Sequence, residues 1–197
     1  MVHLLGAKSP DEIGYYHEFL DGDWSKIKAV DPSVDGGLSF TWTKLNGGFA
    51  IRGDHLSTKV QKNGPKREVP DVEFLRMLCV SGRFKEAIES FEPNIHQFFP
   101  VDVLWEDGEL AAKRFFFNIC TRLDSISRQL TTVPFNHFWQ TAGNANARLV
   151  FDSSTIGSRH IWCDKYLLFN PFVSDALAES LRAAGFTGLS LQHFDQT

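Results

Sequence analysis

The chain has 197 residues, of which 43% are apolar and 22% are charged, and its formal net charge is −4. A chain of this length fits one domain, or at most two small ones, and can bury a core without disulfides. The acidic balance disfavours a general nucleic-acid binder, and no window approaches the roughly 20 apolar residues of a membrane span. Because the first residues also lack a signal-peptide pattern, we expect a soluble cytoplasmic protein with no direct nucleic-acid or membrane partner.

The first 65 residues predict a helix followed by a hairpin. Ser9 is a suitable N-cap, Pro10 fits the first helical position, and Glu12 completes a capping box. Residues 38–42 alternate between apolar and polar side chains, as strands do, and Asn-Gly-Gly at 46–48 offers a hairpin turn. Residues 61–70 are the most polar and turn-rich segment, and they predict an exposed connection.

The middle of the chain predicts a second helix and then a β-hairpin. A serine cap begins a helix over residues 81–90. Residues 95–104 are extended, with Pro100 indicating an edge strand or a bulge. A charged turn at 106–109 separates them from residues 110–123, which we predict to be the most deeply buried strand.

Residues 131–163 predict little regular structure beyond two short strands. The stretch 131–146 is irregular, aromatic and rich in asparagine. Residues 148–151 and 158–163 are apolar and short, which favours strands.

The last part of the chain is the one around which we expect the rest to be organised. Residues 166–169 are apolar and extended, and Pro171 then interrupts them. Ser174 is placed as the N-cap of a helix, and Gly185 suits a left-handed C-cap. Residues 186–191 are then free to extend as a short strand.

The two serine-capped helices follow one pattern at an offset of 93 residues. Val80-Ser81 matches Val173-Ser174, and the next apolar, glutamate and apolar positions also agree. Either these are two related strand-helix-strand units, or any capped amphipathic helix shares the pattern. Strands outnumber helices, which favours an α+β fold with a mixed or antiparallel sheet in a single domain. We divide it into an N-terminal region, 1–65, and a core, 66–197.

Motifs for catalysis or metal binding are incomplete. His160 and Cys163 have ligand-like spacing, but a zinc site usually needs a second such pair. Cys163 with His160 or His137 could form a cysteine-dependent hydrolase, although a cysteine in an apolar strand is usually inert. Cys79 and Cys120 are the other cysteines, and an odd number at wide spacing favours buried thiols in a reducing compartment. We expect no catalytic residue, no metal and no cofactor.

Acidic charge is concentrated in the middle of the chain. Residues 71–110 contain nine acidic and three basic side chains, a net charge of −6. This is either an ordinary solvated surface or a surface shaped for a basic partner. In the second case the contact residues would be the carboxylates around the charged turn, with Trp105 as an aromatic anchor if its ring is exposed. The candidate binding residues are Asp102, Trp105, Glu106, Asp107 and Glu109.

With these segments laid out, the chain resembles family eleven of the immunity proteins of bacterial polymorphic toxin systems. The resemblance covers about residues 69–194. Its last motif, Ala184-Gly185-Phe186-Thr187-Gly188-Leu189, is the most specific. The other carriers are Val69-Pro70-Asp71, Val80-Ser81-Gly82-Arg83-Phe84, Phe98-Phe99-Pro100-Val101, Phe116 and Asn118 with Asp124, Leu149-Val150-Phe151-Asp152, Leu168-Phe169 and Val173-Ser174.

The resemblance implies a binding protein that blocks a cognate secreted toxin, for example a type VI secretion effector, and is not an enzyme. Where the family tends to have Ser-Glu-Arg-Phe, this chain has Gly82 after the serine. The acidity of the chain then favours a basic toxin, most simply a nuclease acting in the cytoplasm. Besides the hydrolase, an adaptor protein of a secretion apparatus is a further alternative.

Overall fold

The computed structural model of the protein describes residues 1–8, 16–35, 45–140, 148–167 and 171–197. The predicted helix start at Ser9, the predicted strand at 38–42 and residues 168–169 of the predicted extended run lie outside these residues. Residues 16–19, which we predicted to continue the first helix, form a strand instead. The described residues form fourteen strands. The strands are β1 (Val2–Ala7), β2 (Tyr16–Phe19), β3 (Lys59–Asn63), β4 (Val72–Leu75), β5 (Met77–Val80), β6 (Gln97–Trp105), β7 (Leu110–Asn118), β8 (Arg122–Leu123), β9 (Phe135–Asn136), β10 (Phe138–Trp139), β11 (Val150–Phe151), β12 (Ile161–Asp164), β13 (Pro171–Ser174) and β14 (Leu189–Gln196).

Two of the described helices are long and two are single turns. They are α1 (Pro32–Asp35), α2 (Gly82–Phe91), α3 (Ser153–Ile156) and α4 (Asp175–Ala183), with a 3-10 turn at Trp24–Lys26. The first sheet has the order β2-β3-β6-β7-β5-β4, and the second has the order β11-β14-β1-β13-β12-β8. Strands β9 and β10 form a separate two-stranded ribbon. The predicted α+β class and mixed sheets are thus confirmed.

Five strands of each sheet have the same arrangement. In the order β3-β6-β7-β5-β4, the first pair is parallel and the other three pairs are antiparallel. The order β11-β14-β1-β13-β12 repeats this pattern pair by pair. We call β3–β7 with α2 the first repeat, and β11–β14 with α4 and β1 the second repeat.

The strand register repeats as well. In the first repeat Phe115 lies opposite both Val80 and Pro100. In the second, His3 lies opposite both Val173 and His193, each 93 residues further along the chain. The offset found in the sequence therefore belongs to two related strand-helix-strand units.

Both long helices begin as predicted. The Ser81 hydroxyl accepts a hydrogen bond from the backbone N–H of Phe84, and the Ser174 hydroxyl accepts one from Leu177. These bonds satisfy amide groups that the first helical turn leaves unpaired. Gly185 has a φ of 63° just after α4, which confirms the predicted left-handed cap.

The long helices and one face of each sheet share an apolar core. Phe84 and Ile88 of α2 meet Leu177 and Leu181 of α4 there, together with inward-facing strand residues such as Val173. The outer face of the first sheet is covered by residues from the stretch 24–56, and that of the second by residues from 126–167. Each sheet is therefore buried on two sides by different parts of the chain.

Equivalent hydrogen bonds occur in the two repeats, and further bonds join one repeat to the other. The hydroxyl and N–H of Ser81 donate to the carboxylate and backbone carbonyl of Asp71. In the second repeat, the Ser174 hydroxyl hydrogen-bonds Nδ1 of His160, and the Ser174 N–H donates to the His160 carbonyl. The N–H of Asp71 donates to the Thr187 hydroxyl in the second repeat.

The N–H of His160, in the second repeat, corresponds to that of Asp71. It donates to the carboxylate of Glu92 at the end of α2, in the first repeat. Glu92 also accepts from Nε2 of His96, at 2.8 Å, and Nδ1 of that ring accepts from the N–H of Cys120. Burial alone would raise the pKa of Glu92, but these hydrogen bonds lower it overall. Glu92 is thus a satisfied buried carboxylate that connects the repeats.

Pro100 lies inside β6 at a point where β6 is locally an edge strand, as predicted, because pairing with β3 begins only at Asp102. Some predicted boundaries differ from the structure. The predicted strand 110–123 is two strands in different sheets, and only the end of β7 is fully buried. Pro171 is the first residue of β13 and lies opposite Cys163 in β12. The last strand begins at Leu189, three residues later than predicted.

Candidate partner-binding surface

The predicted hairpin is present, and its charged turn lies at its tip. Strands β6 and β7 have nine residues each and are joined through residues 106–109. The N–H of Trp105 donates to the carbonyl of Glu109, and the N–H of Gly108 donates to the carbonyl of Trp105. Gly108 has a φ of 84°, which suits glycine, and the Asp107 carboxylate accepts from the Glu109 N–H. The turn is thus held by its own hydrogen bonds.

Three carboxylates are exposed at this tip, and one lysine approaches two of them. Glu106, Asp107 and Glu109 are all exposed, and Lys66 Nζ lies 2.6 Å from carboxylate oxygens of both Asp107 and Glu109. Hydrogen bonding to Lys66 lowers the pKa of Asp107, and the same bonds raise that of Lys66. The three carboxylates and Lys66 together carry a net charge of −2. The sequence had placed Lys66 only in an exposed connection.

Trp105 is buried, with 6% of its surface exposed, so the condition for an aromatic anchor is not met. Alternate residues of β6 point to opposite faces of the sheet, and Val101, Val103 and Trp105 share the covered outer face. The backbone of Trp105 instead binds the turn at both its N–H and its carbonyl. Trp105 therefore holds the turn through its backbone, and its side chain is not part of the exposed tip.

Asp102 points to the opposite face of β6 and is half-buried. Its neighbours in register are Lys59 on β3 and Lys113 on β7. Opposite charges on adjacent strands attract one another, so part of the charge of Asp102 is balanced within the sheet. Asp102 is therefore a weaker candidate for contact than the three tip carboxylates.

Most other carboxylates of the acidic segment have partners within the protein. Asp71 pairs with Arg83, Glu89 with Lys85, and Glu73 with the buried Lys62. The Arg83 guanidinium holds the pKa of Asp71 well below its usual range. Because these carboxylates are paired or buried, the net charge of −6 does not form one continuous acidic face. The tip is where exposed acidity remains grouped.

The thiol proposed as the nucleophile of a hydrolase is buried. Cys163 is 2% exposed, and burial raises its pKa to about 12. It lines a cavity of about 320 Å³ together with apolar residues such as Leu5 and Phe117. Nδ1 of His160 hydrogen-bonds the Ser174 hydroxyl, and His137 lies in the turn between β9 and β10. A thiol with such a pKa is almost entirely protonated at neutral pH.

Among the described residues, no group of three or more His, Cys, Asp or Glu side chains is placed to hold a metal ion. No helix within them is long and apolar enough to cross a bilayer.

A model of the immunity protein family Imm11 matches residues 36–196. The chain belongs to this family. The match begins 33 residues earlier than the resemblance traced from the motifs, so that resemblance was too short at its N-terminal end. No curated protein matches the chain.

The family motifs in this Imm11 protein coincide with positions that determine the fold. Gly188 has a φ of 75°, and a Cβ atom there would lie 2.2 Å from the backbone oxygen of Val72. Asn118 is fully buried and donates to the carbonyl of Phe49. Asp152 caps α3 by accepting from the N–H of Ser154. These motifs therefore explain how the chain folds, and they do not locate the partner.

Proposed function

We propose that this Imm11 protein binds one cognate toxin in the cytoplasm and neutralises it by covering the toxin's active site. The observation that carries the proposal is the acidic tip of the β6–β7 hairpin, in a chain whose family implies toxin binding. The tip presents Glu106, Asp107 and Glu109 on a turn that its own hydrogen bonds hold in place.

A narrow acidic hairpin is suited to a basic cleft. A nuclease must keep its cleft basic to hold the phosphates of its substrate. We infer that the toxin is a nuclease and that the tip carboxylates take the places of substrate phosphates. Asp102 lies further from the tip, between two lysines in register, and would contribute at the rim.

Neutralisation by coverage requires no chemistry from the immunity protein itself. We expect no catalytic activity, no cofactor and no bound metal in the active form. Elemental analysis of the purified protein is expected to find no stoichiometric metal, and one zinc per chain would contradict this expectation.

The test measures binding kinetics with the purified cognate toxin domain, made with its active site disabled. Reversing Glu106, Asp107 and Glu109 to lysine should slow association at low salt by about tenfold or more and flatten its salt dependence. Lys66→Gln should have the opposite effect on the association rate, because it leaves the tip with one more unbalanced negative charge.

Matched variants separate the tip from net charge. Glu106→Lys and Glu179→Lys change the net charge equally, and both residues are exposed, but Glu179 lies on α4. Only Glu106→Lys should slow association appreciably. If the triple variant associates at the wild-type rate with the wild-type salt slope, the tip is a solvated surface and not the contact.

A further inference from the structure

A cavity of about 320 Å³ lies between the two sheets, and we call it the inter-sheet cavity. Its walls come from β1, β12 and β13 of the second sheet and from β4, β5 and β7 of the first. Phe74 of β4 lines the cavity and is 52% exposed, so the cavity reaches the surface at this residue. Because well-packed interiors contain few voids larger than a water molecule, a cavity of this volume is a candidate binding site.

Apolar side chains such as Leu78 and Ile119 dominate the lining, and no charged side chain of the described residues lines it. The amide Nδ2 of Asn46, at the lining, already donates to the carbonyl of Arg76, at 3.1 Å. Burial raises the pKa of the Cys163 thiol to about 12, so this group is uncharged at neutral pH. A charged molecule would lose its hydration in the inter-sheet cavity without gaining a partner of opposite charge. The lining therefore selects an uncharged ligand.

The volume of the inter-sheet cavity matches a small organic molecule. Water suits an apolar cavity poorly, because a buried water molecule needs about two to four polar partners. An apolar cavity of roughly 150 Å³ binds benzene, so a cavity about twice as large can hold a molecule of two fused rings. Ligand pockets in proteins typically begin at about 300 Å³ and are lined mainly by apolar residues.

Two phenylalanine rings in the lining favour an aromatic ligand over a flexible chain. Phe74 lies where the cavity reaches the surface, and Phe117 is a buried part of its wall. The Phe117 ring is stacked on Phe98, with centroids 4.6 Å apart and an angle of 2° between the planes, so this wall is already formed. Aromatic rings in contact gain more than the burial of their area provides. A rigid ring also loses less conformational entropy on binding than an alkyl chain of the same volume.

We propose that the inter-sheet cavity binds a small, uncharged aromatic molecule of one or two rings. A molecule bound there contacts strands of both repeats, so its binding stabilises the junction between them. The residues of the acidic tip are not part of the lining. The cavity is therefore a separate site, and the proposal does not depend on the proposed toxin-binding function.

The test measures binding of indole, an uncharged probe with two fused rings, to the full chain. Indole should bind saturably with a Kd of about 1 mM or below. At ten times its Kd it should raise the ratio of folded to unfolded protein in urea about tenfold, because it binds only the folded state. Indole-3-carboxylate has the same rings and a negative charge that the lining cannot pair. It should therefore bind at least about tenfold more weakly than indole.

Methyl NMR of the wild-type protein locates the bound probe. Indole protons should show nuclear Overhauser effects to the methyl groups of Leu5 and Leu78, which line the inter-sheet cavity. They should show none to Ile156, which is equally buried but belongs to the apolar cluster on the outer face of the second sheet.

Two matched variants test the cavity itself. Ala7→Leu adds side-chain volume at the lining and should weaken indole binding about tenfold or more. Ala87→Leu adds the same volume on α2, where Ala87 packs against the shared core but does not line the cavity. This control should leave the Kd for indole unchanged, and urea unfolding of each variant without indole checks that it folds.

Several results would overturn the site. They are a urea midpoint that indole does not change, equal affinities for indole and indole-3-carboxylate, and Overhauser effects at Ile156 in place of Leu5 and Leu78. Ala7→Leu protein that folds and binds indole as tightly as the wild type would also exclude it. If Ala7→Leu does not fold, the NMR measurement on the wild type still decides, because it needs no variant.

Discussion

In the first repeat the middle strand of the sheet is β7, which follows β6 through the acidic turn. In the second repeat the same place is taken by β1, from the opposite end of the chain. The strand directions and the register at Phe115 and His3 nevertheless agree. One sheet architecture has thus been completed in two ways, and a connecting hairpin turn exists in only one of them.

The segments that cover the outer faces of the two sheets also differ. Residues from the stretch 24–56 cover the first sheet, while the second is covered by residues that include the ribbon β9–β10. What the repeats share can be explained by folding alone, since it consists of core positions, caps and register. The acidic tip occurs in the first repeat only, which is why we look for a partner contact there.

The largest effect on stability is expected in the connection after α4. Gly188→Ala would place Cβ against the Val72 oxygen at a positive φ and should destabilise the protein by about 3 kcal/mol or more. Gly185→Ala is the control, because its φ is also positive but its Cβ would meet open space. It should cost only about 1 kcal/mol. Urea unfolding measures both, and equal effects would contradict the predicted role of the close approach.

The next largest effect concerns the contact that Glu92 makes with the second repeat. Glu92→Ala leaves the His160 N–H and the His96 Nε2–H without their acceptor, and should destabilise the protein by about 3 kcal/mol. Glu86→Ala on the exposed side of the same helix is the control and should change little. A loss below 1 kcal/mol in urea unfolding would mean that the repeats do not depend on this contact.

The equivalent contact at Asp71 should be weaker and pH-dependent. Asp71→Asn weakens the pairing with Arg83, which is half exposed, and should cost about 2 kcal/mol at pH 7. Because the folded pKa of Asp71 is lowered, its contribution is complete above the unfolded pKa, about 3.9, and is lost as pH falls through the folded value. The difference between wild type and variant should therefore shrink below about pH 4. A difference that is constant with pH would exclude the carboxylate as its source.

The smallest effect is expected where the two long helices begin. Gly82 is the first residue of α2, and a Cβ atom there would meet nothing within 4 Å. Gly82→Ala should stabilise the protein by about 0.5–1 kcal/mol by restricting the unfolded chain. The equivalent Asp175→Ala in α4 should destabilise it by a similar amount, since Asp175 accepts a hydrogen bond from His3. Urea unfolding measures both changes, and a destabilising Gly82→Ala or a stabilising Asp175→Ala would contradict the prediction.

Local features of this fold could be predicted from the sequence, because their causes lie within a few residues. The serine caps at Ser81 and Ser174 and the glycine at Gly185 belong to this class. The β6–β7 hairpin was also predicted, since a charged turn separates two adjacent apolar runs. The offset of 93 residues suggested the repeat, although one helix pattern alone could not distinguish related units from similar helices.

The remaining features depend on contacts between distant residues. Trp105 is buried on the face of β6 that it shares with Val101 and Val103, and nothing near Trp105 in the sequence indicates this. Lys66 approaches the acidic tip because β3 pairs with β6, although about 40 residues separate the two strands.

The position of β1 also has a consequence for the order of folding. Val2 lies opposite Phe194, so closing this pair joins residues near the two ends of the chain, whereas β6 and β7 form by a local turn. Loop closure over such a separation is slow relative to a hairpin, and folding rates fall as contacts become less local. During synthesis β1 emerges before β13 and β14 and stays unpaired until both have followed. A newly made chain can therefore complete its acidic hairpin before its second sheet.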